Sequence, residues 1–297
     1  MNKFIMMVGL PGSGKSTMAK RLAEEYNANI HSSDDIRAEL SGDATRQDIN
    51  DLVFKTLHNR VKEDLCNGKN CIYDACNISY KRRMAFLQEL KNIPCEKICV
   101  LMATPYEECL KNNVNRDRVV PEYVIEKMYR NFDMPWVYER WDDIIVMYND
   151  TNYRLPNNFY LANKHFNQHN THHTLTLGEH CAEVCAALNN TSEELKVAGL
   201  LHDCGKPFCK TFINTRGEVT EQAHYYNHEH SGSYDSLFYR ENKADPLYIA
   251  VLIRWHMQPY FWEKDNNEKQ HNKYRKLWGE RLYSDIMRLH EADKTAH

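Results

Sequence analysis

Residues 3–17 read KFIMMVGLPGSGKST, and this stretch decides the fold of the first half of the chain. The apolar run at residues 3–8 predicts a buried strand, and residues 15–26 predict a helix. Between them, Gly9 to Ser16 fit the pattern GxxxxGK[ST] without a gap. Glycines let backbone N–H groups wrap phosphate oxygens, and a helix N-terminus adds positive potential. The stretch therefore predicts a phosphate-binding loop between a strand and a helix.

The side chains of this loop predict a site for a nucleotide. Lys15 is expected to reach the outer phosphates, and the Ser16 hydroxyl is expected to hold Mg²⁺. Such a loop occurs in kinases, ATPases and GTPases alike, so it does not choose among them. The residues predicted to contact the nucleotide are Gly12, Ser13, Gly14, Lys15, Ser16 and Thr17.

The rest of the first half alternates strands with helices. Apolar runs at 70–74, 97–102 and 143–147 predict further strands, and apolar residues at helical spacing predict a helix between 49 and 65. This alternation is typical of a parallel sheet covered by helices. We therefore predict an α/β domain at residues 1–150.

The second half has a different pattern. A polar segment with a proline, at residues 149–158, separates the two halves, and we predict a linker at 151–162. Beyond it strand signals are weak, and an all-α domain is predicted at 163–297. Its predicted helices span 175–188, 192–201, 247–257 and 277–289.

Composition limits the kind of protein. The chain has 297 residues and a net charge of −3, so a protein that coats nucleic acid is not expected. A protein that grips only a strand end needs no more than a local basic patch, and the net charge is compatible with that. The first apolar run is too short for a signal sequence or a membrane span, and the ten cysteines contain no CxxC pair. These features predict a cytoplasmic protein with reduced thiols. Thirteen of the fifteen histidines follow residue 160, which suggests two different chemistries in the two halves.

Three motifs follow the loop in the first half. In SSDDIR, Asp34 is placed to accept a proton from an attacking hydroxyl and Arg37 follows one helical turn later, although a solvated, capped helix start has the same pattern. In DACN, Asp74 either orders the Mg²⁺ shell or caps the next helix. In NRDRVVP, Arg116 and Arg118 either close over the triphosphate as a lid or form an exposed charge cluster.

In their order and approximate spacing, these motifs resemble the kinase domain of phage-type polynucleotide 5′-kinases, over roughly residues 1–150. The resemblance implies an α/β P-loop kinase that transfers the γ-phosphate of ATP, with Mg²⁺, to a 5′-hydroxyl end of RNA or DNA. Asp34 is preferred to Asp35 because it keeps the three-residue step to Arg37. By resemblance, Lys15 and Ser16 bind phosphates and Mg²⁺, and Asp34 is the general base. Arg37 positions the acceptor's 3′-phosphate, and Arg116 is the lid arginine. The lid is one residue shorter than the family pattern, so Arg116 and Arg118 can exchange this role.

The second half contains GLLHDCGKP at residues 199–207, with His202 beside Asp203. A solvated helix end explains such a pair as well as a metal site does, until its neighbours are considered. Imidazole and carboxylate suit first-row transition metals, and ligands from several helices of a bundle can converge on one centre. The candidate ligands are His180, His202, Asp203, His228, His256 and Asp293.

This series resembles the H…HD…D pattern of the HD phosphohydrolase superfamily, over roughly residues 163–297, and in part the HD domains attached to bacterial tRNA nucleotidyltransferases. The resemblance implies a core metal site of His180, His202, Asp203 and Asp293, with Mn²⁺, Co²⁺ or Ni²⁺ as typical metals. His228 and His256 either complete a second metal site or contact the scissile phosphate. Lys206 either neutralises phosphate charge or is an exposed lysine. No role is assigned to the remaining histidines, which include His172 and His173.

Together the halves predict one chain that adds phosphate and removes it, which makes sense on opposite ends of a broken strand. The predicted substrates are RNA or DNA ends with a 5′-hydroxyl and a 2′,3′-cyclic phosphate or 3′-phosphate, with an RNA ligase as a possible partner. Two alternatives stay open. One is a small-molecule or nucleoside kinase fused to a nucleotide phosphohydrolase, and the other is a kinase regulated by a non-catalytic HD domain.

Overall fold

The computed structural model describes residues 1–116, 118–149, 153–170, 174–241, 243–264 and 268–296. Residues 151 and 152 of the predicted linker, and His172 and His173, lie outside these ranges. The chain divides into two compact units. The first consists of Met1–Tyr129 and Pro135–Thr151, and the second of Arg130–Met134 and Asn152–His297.

The first unit is an α/β fold, as predicted. Its strands form a parallel sheet in the order β2-β3-β1-β4-β5. The strands are β1 (Lys3–Val8), β2 (Ala28–Ser32), β3 (Asn70–Asp74), β4 (Glu96–Ala103) and β5 (Asp143–Tyr148). The helices are α1 (Lys15–Tyr26), α2 (Ser33–Ser41), α3 (Asn50–Cys66), α4 (Tyr80–Glu89), α5 (Tyr106–Asn113) and α6 (Glu122–Tyr129), with a short 3₁₀ turn at Val137–Glu139.

Helices cover both faces of this sheet because its central strands β1, β3 and β4 are largely buried. On one face, Ala19 and Leu22 of α1 pack against Ile5 and Ile72. On the other, the Phe86 ring of α4 lies 5.5 Å from the ring of Phe4 in an edge-on contact. A sheet buried on both faces fixes its strands, so the loops at their carboxyl ends are held in place, and this is where ligands bind in open α/β sheets.

The second unit is mostly helical, as predicted. Local signals start several of its helices, such as the reciprocal capping box between Thr176 and Glu179 and the Ser192 hydroxyl that accepts from the Leu195 N–H. The helices are α7 (Pro156–Asn163), α8 (Leu177–Ala187), α9 (Glu193–Leu201), α10 (Lys206–Cys209), α11 (His228–Ser236), α12 (Pro246–Trp255), α13 (Gln258–Lys264) and α14 (Glu268–Thr295), which breaks at Gly279.

The sequence analysis missed an antiparallel hairpin in this unit, formed by β6 (Thr211–Ile213) and β7 (Val219–His224). Strand β7 has no alternating apolar pattern, since Ala223 is buried while most of its neighbours are exposed. The turn does carry a signal, because Asn214 accepts backbone N–H bonds from Arg216 and Glu218, and Gly217 has a φ of 83°. A turn motif without flanking apolar strands was too weak to predict the hairpin.

No helix among the described residues is both long enough and apolar enough to cross a membrane.

Candidate phosphate-binding site and candidate metal centre

The loop Gly9–Ser16 follows β1 and opens α1, as the motif requires. Gly12 and Gly14 adopt left-handed φ angles of 80° and 86°, a region that glycine enters without strain. The Lys15 ammonium is buried and donates to the Leu10 carbonyl at 2.7 Å. The lysine thus folds back over the loop, where a phosphate would meet its charge.

Side chains from neighbouring elements hold the carbonyls of this loop. The Ser13 carbonyl accepts from Thr104 Oγ1 at 3.0 Å and from Asn149 Nδ2 at 2.6 Å. The Gly12 carbonyl accepts from Asn112 Nδ2 at 3.0 Å. These residues were not predicted from the sequence, although Thr104 and Asn149 directly follow the observed strands β4 and β5. They fix the loop in the conformation that its glycines allow.

Gly12→Ala should weaken ATP binding about tenfold or more. A Cβ at this position would lie 2.1 Å from the Cys109 carbonyl oxygen, and a left-handed φ at a non-glycine residue costs about 1–3 kcal/mol. The measurement is the ATP Kd by titration calorimetry. Gly68→Ala is the matched control, because Gly68 has a φ of 78° with nothing within 4 Å of the added Cβ. Equal affinities for the two variants would contradict the steric explanation.

Asp74 lies at the carboxyl end of β3 and is buried beside the loop. Burial raises the pKa of its carboxyl group, while a hydrogen bond with Ser16 and the charge of Lys15 lower it. The next helix, α4, begins at Tyr80 with Ser79 at its N-cap. Asp74 therefore does not cap that helix, and its pairing with Ser16 is the arrangement that a Mg²⁺ shell requires.

Asp34, in the first turn of α2, faces the arginines that the sequence analysis singled out. Its Oδ1 accepts from Arg37 Nη1 at 2.8 Å and from Arg118 Nη1 in a shorter contact. Arg116 Nη2 lies 3.9 Å from its Oδ2. Asp35 differs, since its backbone N–H donates to the Ser32 hydroxyl in the helix cap. The two neighbouring aspartates thus occupy different environments, and Asp34 is the one among positive charges.

Arg37 is more enclosed than the lid arginines. Its side chain is 5% exposed, compared with 33% for Arg116 and 24% for Arg118. Nη2 donates to Asn50 Oδ1 at 2.9 Å, a partner that the sequence analysis missed. Its buried Nε has no hydrogen-bond partner among the described residues. Arg37 therefore orients Asp34 and keeps one buried donor for a further acceptor.

In the second unit, the predicted ligand series comes together in a buried cluster, which we call the HD cluster. His180 lies on α8, the adjacent His202 and Asp203 follow α9, His228 begins α11, His256 follows α12, and Asp293 lies in the last turns of α14. The exposed fraction of each residue is 8% or less. Its members are His180, His202, Asp203, His228, His256 and Asp293.

Asp203 lies between two halves of this cluster. Its Oδ2 is 3.3 Å from His202 Nε2 and 3.7 Å from His180 Nε2. Its Oδ1 is 3.1 Å from His228 Nε2 and 3.8 Å from His256 Nε2. Each carboxylate oxygen thus faces its own histidine pair, so this carboxylate is placed to bridge two ions.

Asp293 completes the first half of the cluster. Its Oδ1 lies 3.0 Å from His180 Nε2 and 3.5 Å from His202 Nε2. The ligand atoms of these residues lie within 4.8 Å of one another, and the same holds for Asp203, His228 and His256.

Backbone carbonyls orient every histidine of the cluster. The Nδ1 atoms of His202, His228 and His256 bond to carbonyls three residues earlier, at 2.8, 2.8 and 2.7 Å. His180 Nδ1 bonds to the Ala296 carbonyl at 3.0 Å. Because Nδ1 bonds to a carbonyl, Nε2 is the ring nitrogen that faces the centre, which is how protein sites usually orient an imidazole ligand.

Protonation in the cluster suits a cation. Burial lowers the pKa of His256 to about 4, and His228 and His202 add to this effect, so His256 is neutral at pH 7. Burial opposes ionisation of Asp203 and Asp293, but neighbouring cationic groups, Lys206 and His202 for Asp203 and His202 for Asp293, hold both pKa values well below the ordinary range. Burial also lowers the pKa of His202, but Asp203, Cys181 and Asp293 together outweigh it and raise that pKa well above its ordinary value. A metal at His202 therefore replaces a proton.

Lys206 is buried rather than exposed, with its ammonium 2.6 Å from Asp203 Oδ2. It also donates to Gln168 Oε1 at 2.9 Å. Gln168 was missed from the sequence because it lies 38 residues before Lys206, in a segment without a motif. The lysine brings a fixed positive charge to the edge of the cluster, where a phosphate oxygen would be neutralised.

The donor set of the cluster fits a divalent transition metal. It combines imidazole nitrogens with carboxylate oxygens, which favour Mn²⁺, Co²⁺ or Ni²⁺ over an ion that prefers oxygen alone. The ligand atoms lie within 4.8 Å of one another inside each group of the buried cluster, which favours a metal ion between them.

Two family models match this chain. A model described as an AAA domain matches residues 4–135, and one described as an HD domain matches residues 171–296. The L-seryl-tRNA(Sec) kinase of Methanococcus maripaludis is 29% identical over 148 residues, which cover 48% of this chain and 58% of that protein. Protein kti12 of Schizosaccharomyces pombe is 26% identical over 151 residues, which cover 46% of this chain and 54% of that protein. The chain thus spans little more than half the length of these curated relatives.

Solved structures also resemble parts of the chain. A putative kinase from Chloroflexus aurantiacus is 15% identical, with a TM-score of 0.43, over 50% of this chain and 89% of that one. A chain of the Pnkp1/Rnl/Hen1 RNA repair complex is 28% identical, with a TM-score of 0.37, over 43% of this chain and 42% of that one. Together with the loop, the sheet order and the HD cluster, the two family matches assign residues 4–135 to a P-loop domain of the AAA family and residues 171–296 to an HD domain.

Proposed function

We propose that this chain is a bifunctional enzyme that heals RNA ends, with a 5′-hydroxyl kinase in the first unit and a 2′,3′-cyclic phosphodiesterase and 3′-phosphatase in the second. The observation that supports it most is the pairing, in one chain, of a phosphate-binding loop with a buried HD cluster whose two halves both contact Asp203. In this proposal the first unit of the chain adds phosphate and the second unit removes it. On a single site these reactions would cancel, whereas on opposite ends of a broken strand both are needed before a ligase can seal it.

In the kinase, the loop and Lys15 hold the outer phosphates of ATP, while Ser16 and Asp74 order Mg²⁺. Asp34 accepts the proton of the attacking 5′-hydroxyl, with its carboxylate oriented by Arg37 at 2.8 Å. The more exposed Arg116 and Arg118 close over the triphosphate. Arg37, which lies beside Asp34, positions the acceptor's 3′-phosphate.

A relative supports an acceptor carried on RNA. The L-seryl-tRNA(Sec) kinase shares 29% identity with this chain, and its name places the acceptor on a tRNA. A hydroxyl at the end of an RNA strand is an acceptor of the same general class.

In the HD domain, His180, His202, Asp203 and Asp293 would hold one divalent metal, and His228 and His256, together with Asp203, would hold a second. A bound metal would supply positive charge at the phosphoester and lower the pKa of a water molecule to about 7. Lys206 places its ammonium beside Asp203 to neutralise a phosphate oxygen, and the backbone carbonyls keep each imidazole aimed at the centre.

The direct test is an RNA oligonucleotide with a labelled 5′-hydroxyl end and a 2′,3′-cyclic phosphate end, incubated with ATP and metal. Both ends are analysed separately, and a DNA oligonucleotide and a free nucleoside are run beside it. We expect a 5′-phosphate and a 3′-hydroxyl on the RNA. Phosphorylation of the nucleoside at the same rate as the oligonucleotide would overturn the end-healing function in favour of a small-molecule kinase.

The two reactions should differ in metal requirement. The kinase should need Mg²⁺, because its candidate ligands are oxygens and the ion arrives with the nucleotide. The 3′-end reaction should prefer Mn²⁺, Co²⁺ or Ni²⁺, because histidine nitrogens dominate the cluster. The measurement adds single metals back to EDTA-treated enzyme and follows both ends of the same oligonucleotide. Equal support of both reactions by Mg²⁺ alone would argue against histidine ligation.

A further inference from the structure

Tyr260, a residue outside the ligand series, contacts one member of the HD cluster. Its hydroxyl, on α13, donates to Asp293 Oδ2 at 3.0 Å. The other oxygen of this carboxylate, Oδ1, faces the histidines, at 3.0 Å from His180 Nε2 and 3.5 Å from His202 Nε2. The two oxygens of Asp293 thus have separate partners, one in the protein wall and one in the centre.

Other contacts hold α13 in place without the Tyr260 hydroxyl. Glu263 Oε1 lies 2.9 Å from His290 Nε2 and 3.1 Å from Lys294 Nζ, both on α14. The Tyr260 ring packs edge-on against the His290 ring, with centroids 4.4 Å apart. Removing the hydroxyl alone therefore leaves the helix and the ring where they are.

A carboxylate ligand can turn about its bond to Cβ or bring both oxygens to one ion. A hydrogen bond to one oxygen prevents both movements, because that oxygen then has a fixed partner. Groups that orient a metal ligand in this way typically contribute about 10–100-fold to metal affinity.

We propose that Tyr260 is a positioning residue of the metal centre, which holds Asp293 so that only Oδ1 is presented to the ion shared with His180 and His202. This inference rests on the proposed HD-domain chemistry and adds a residue that the H…HD…D pattern does not contain. It predicts that the Tyr260 hydroxyl contributes to the affinity of the HD cluster for divalent cations.

The test compares the full chain and Tyr260→Phe, stripped with EDTA and titrated calorimetrically with Mn²⁺ in the absence of nucleotide. Tyr260→Phe should bind Mn²⁺ about 10–100-fold more weakly. Its 3′-end reaction should recover as Mn²⁺ is raised, because the metal ligands themselves are intact. The thermal transition of the metal-free protein should stay close to that of the unchanged chain.

The matched control is Tyr248→Phe. Tyr248 also donates its hydroxyl to a carboxylate of α14, Asp285 Oδ2, at 2.8 Å, and Asp285 is not part of the HD cluster. This variant removes the same kind of hydrogen bond and should leave Mn²⁺ affinity unchanged. Equal losses in both variants would mean that Tyr260 acts through general stability, and unchanged affinity in Tyr260→Phe would overturn the inference while the metal centre stands. Absence of Mn²⁺ binding by the unchanged chain would overturn the metal centre and this inference together.

Discussion

Asp203→Asn should abolish metal binding in the second unit and 3′-end processing with it, while 5′-phosphorylation continues at its normal rate. The reason is the position of this carboxylate, whose two oxygens lie 3.3 Å from His202 Nε2 and 3.1 Å from His228 Nε2. Losing it removes a ligand from both halves of the cluster at once. The loss of activity should exceed the 10–100-fold effect of groups that only orient a ligand. Metal content by elemental analysis and the two-ended oligonucleotide assay measure both effects.

The choice of asparagine matters because Lys206 depends on the same carboxylate. Asp203→Ala would leave that ammonium, 5% exposed, with its ionic partner removed, at a cost of about 3–5 kcal/mol. Asparagine keeps the volume and an oxygen for Lys206, so the loss of metal can be separated from unfolding. A folded Asp203→Asn protein that still opens a 2′,3′-cyclic phosphate at the normal rate would rule out the metal centre.

The 3′-end activity of single histidine variants then shows whether one metal ion or two are required. His180→Ala damages only the half that faces Asp203 Oδ2, and His228→Ala only the half that faces Oδ1. Equally severe losses of 3′-end activity indicate that both ions are required. A mild effect of His228→Ala alone indicates that one ion suffices.

Local sequence patterns predicted most of the fold. The strands at Lys3–Val8 and Asn70–Asp74 and the helix at Lys15–Tyr26 match the predicted bounds, because each has a continuous apolar run or helical spacing and a clear end signal. The helix α14 extends well beyond the predicted 277–289, since the residues before Gly279 are largely polar and show no apolar stripe. The hairpin β6–β7 was missed for the same reason, as its strands bury little apolar surface.

The motif residues of the candidate sites were predictable from the sequence, but the groups that orient them were not. His202 and Asp203 could be singled out because they are adjacent, and His180, His228 and Asp293 because a known pattern spaces them. Gln168 and Tyr260 have no such pattern, since they reach the cluster through contacts of 38 and 33 residues in sequence separation. The backbone carbonyls that orient the histidines have no sequence signature at all. A motif thus gives the ligands, and the tertiary fold gives the groups that aim them.

The three-residue step to Arg37 favours Asp34 over Asp35 as the general base. The different contacts of the two residues allow this prediction to be tested with one variant of each. Asp34 meets Arg37 at 2.8 Å and also Arg118, while Asp35 contributes its backbone N–H to the cap of α2. The arginines around Asp34 hold its carboxylate in place, as a positioned proton acceptor requires. These same contacts must loosen enough for a hydroxyl to approach, and the phosphates of ATP are the natural competitors for Arg116 and Arg118.

Asp34→Asn should therefore lower 5′-phosphorylation about 10²–10⁴-fold, the usual contribution of a positioned general base. Asparagine keeps the shape and an oxygen for Arg37, so ATP affinity and the thermal transition should change little and the deficit should appear in kcat. Asp35→Asn is the matched control, one residue away on the same helix, and should keep near-normal kinase activity because its backbone still closes the cap with Ser32. The 3′-end reaction of the same preparations reports on folding of the other unit and should be normal in both. If Asp35→Asn loses the kinase and Asp34→Asn retains it, the base is Asp35, and the arginines around Asp34 then serve to hold the lid rather than the acceptor.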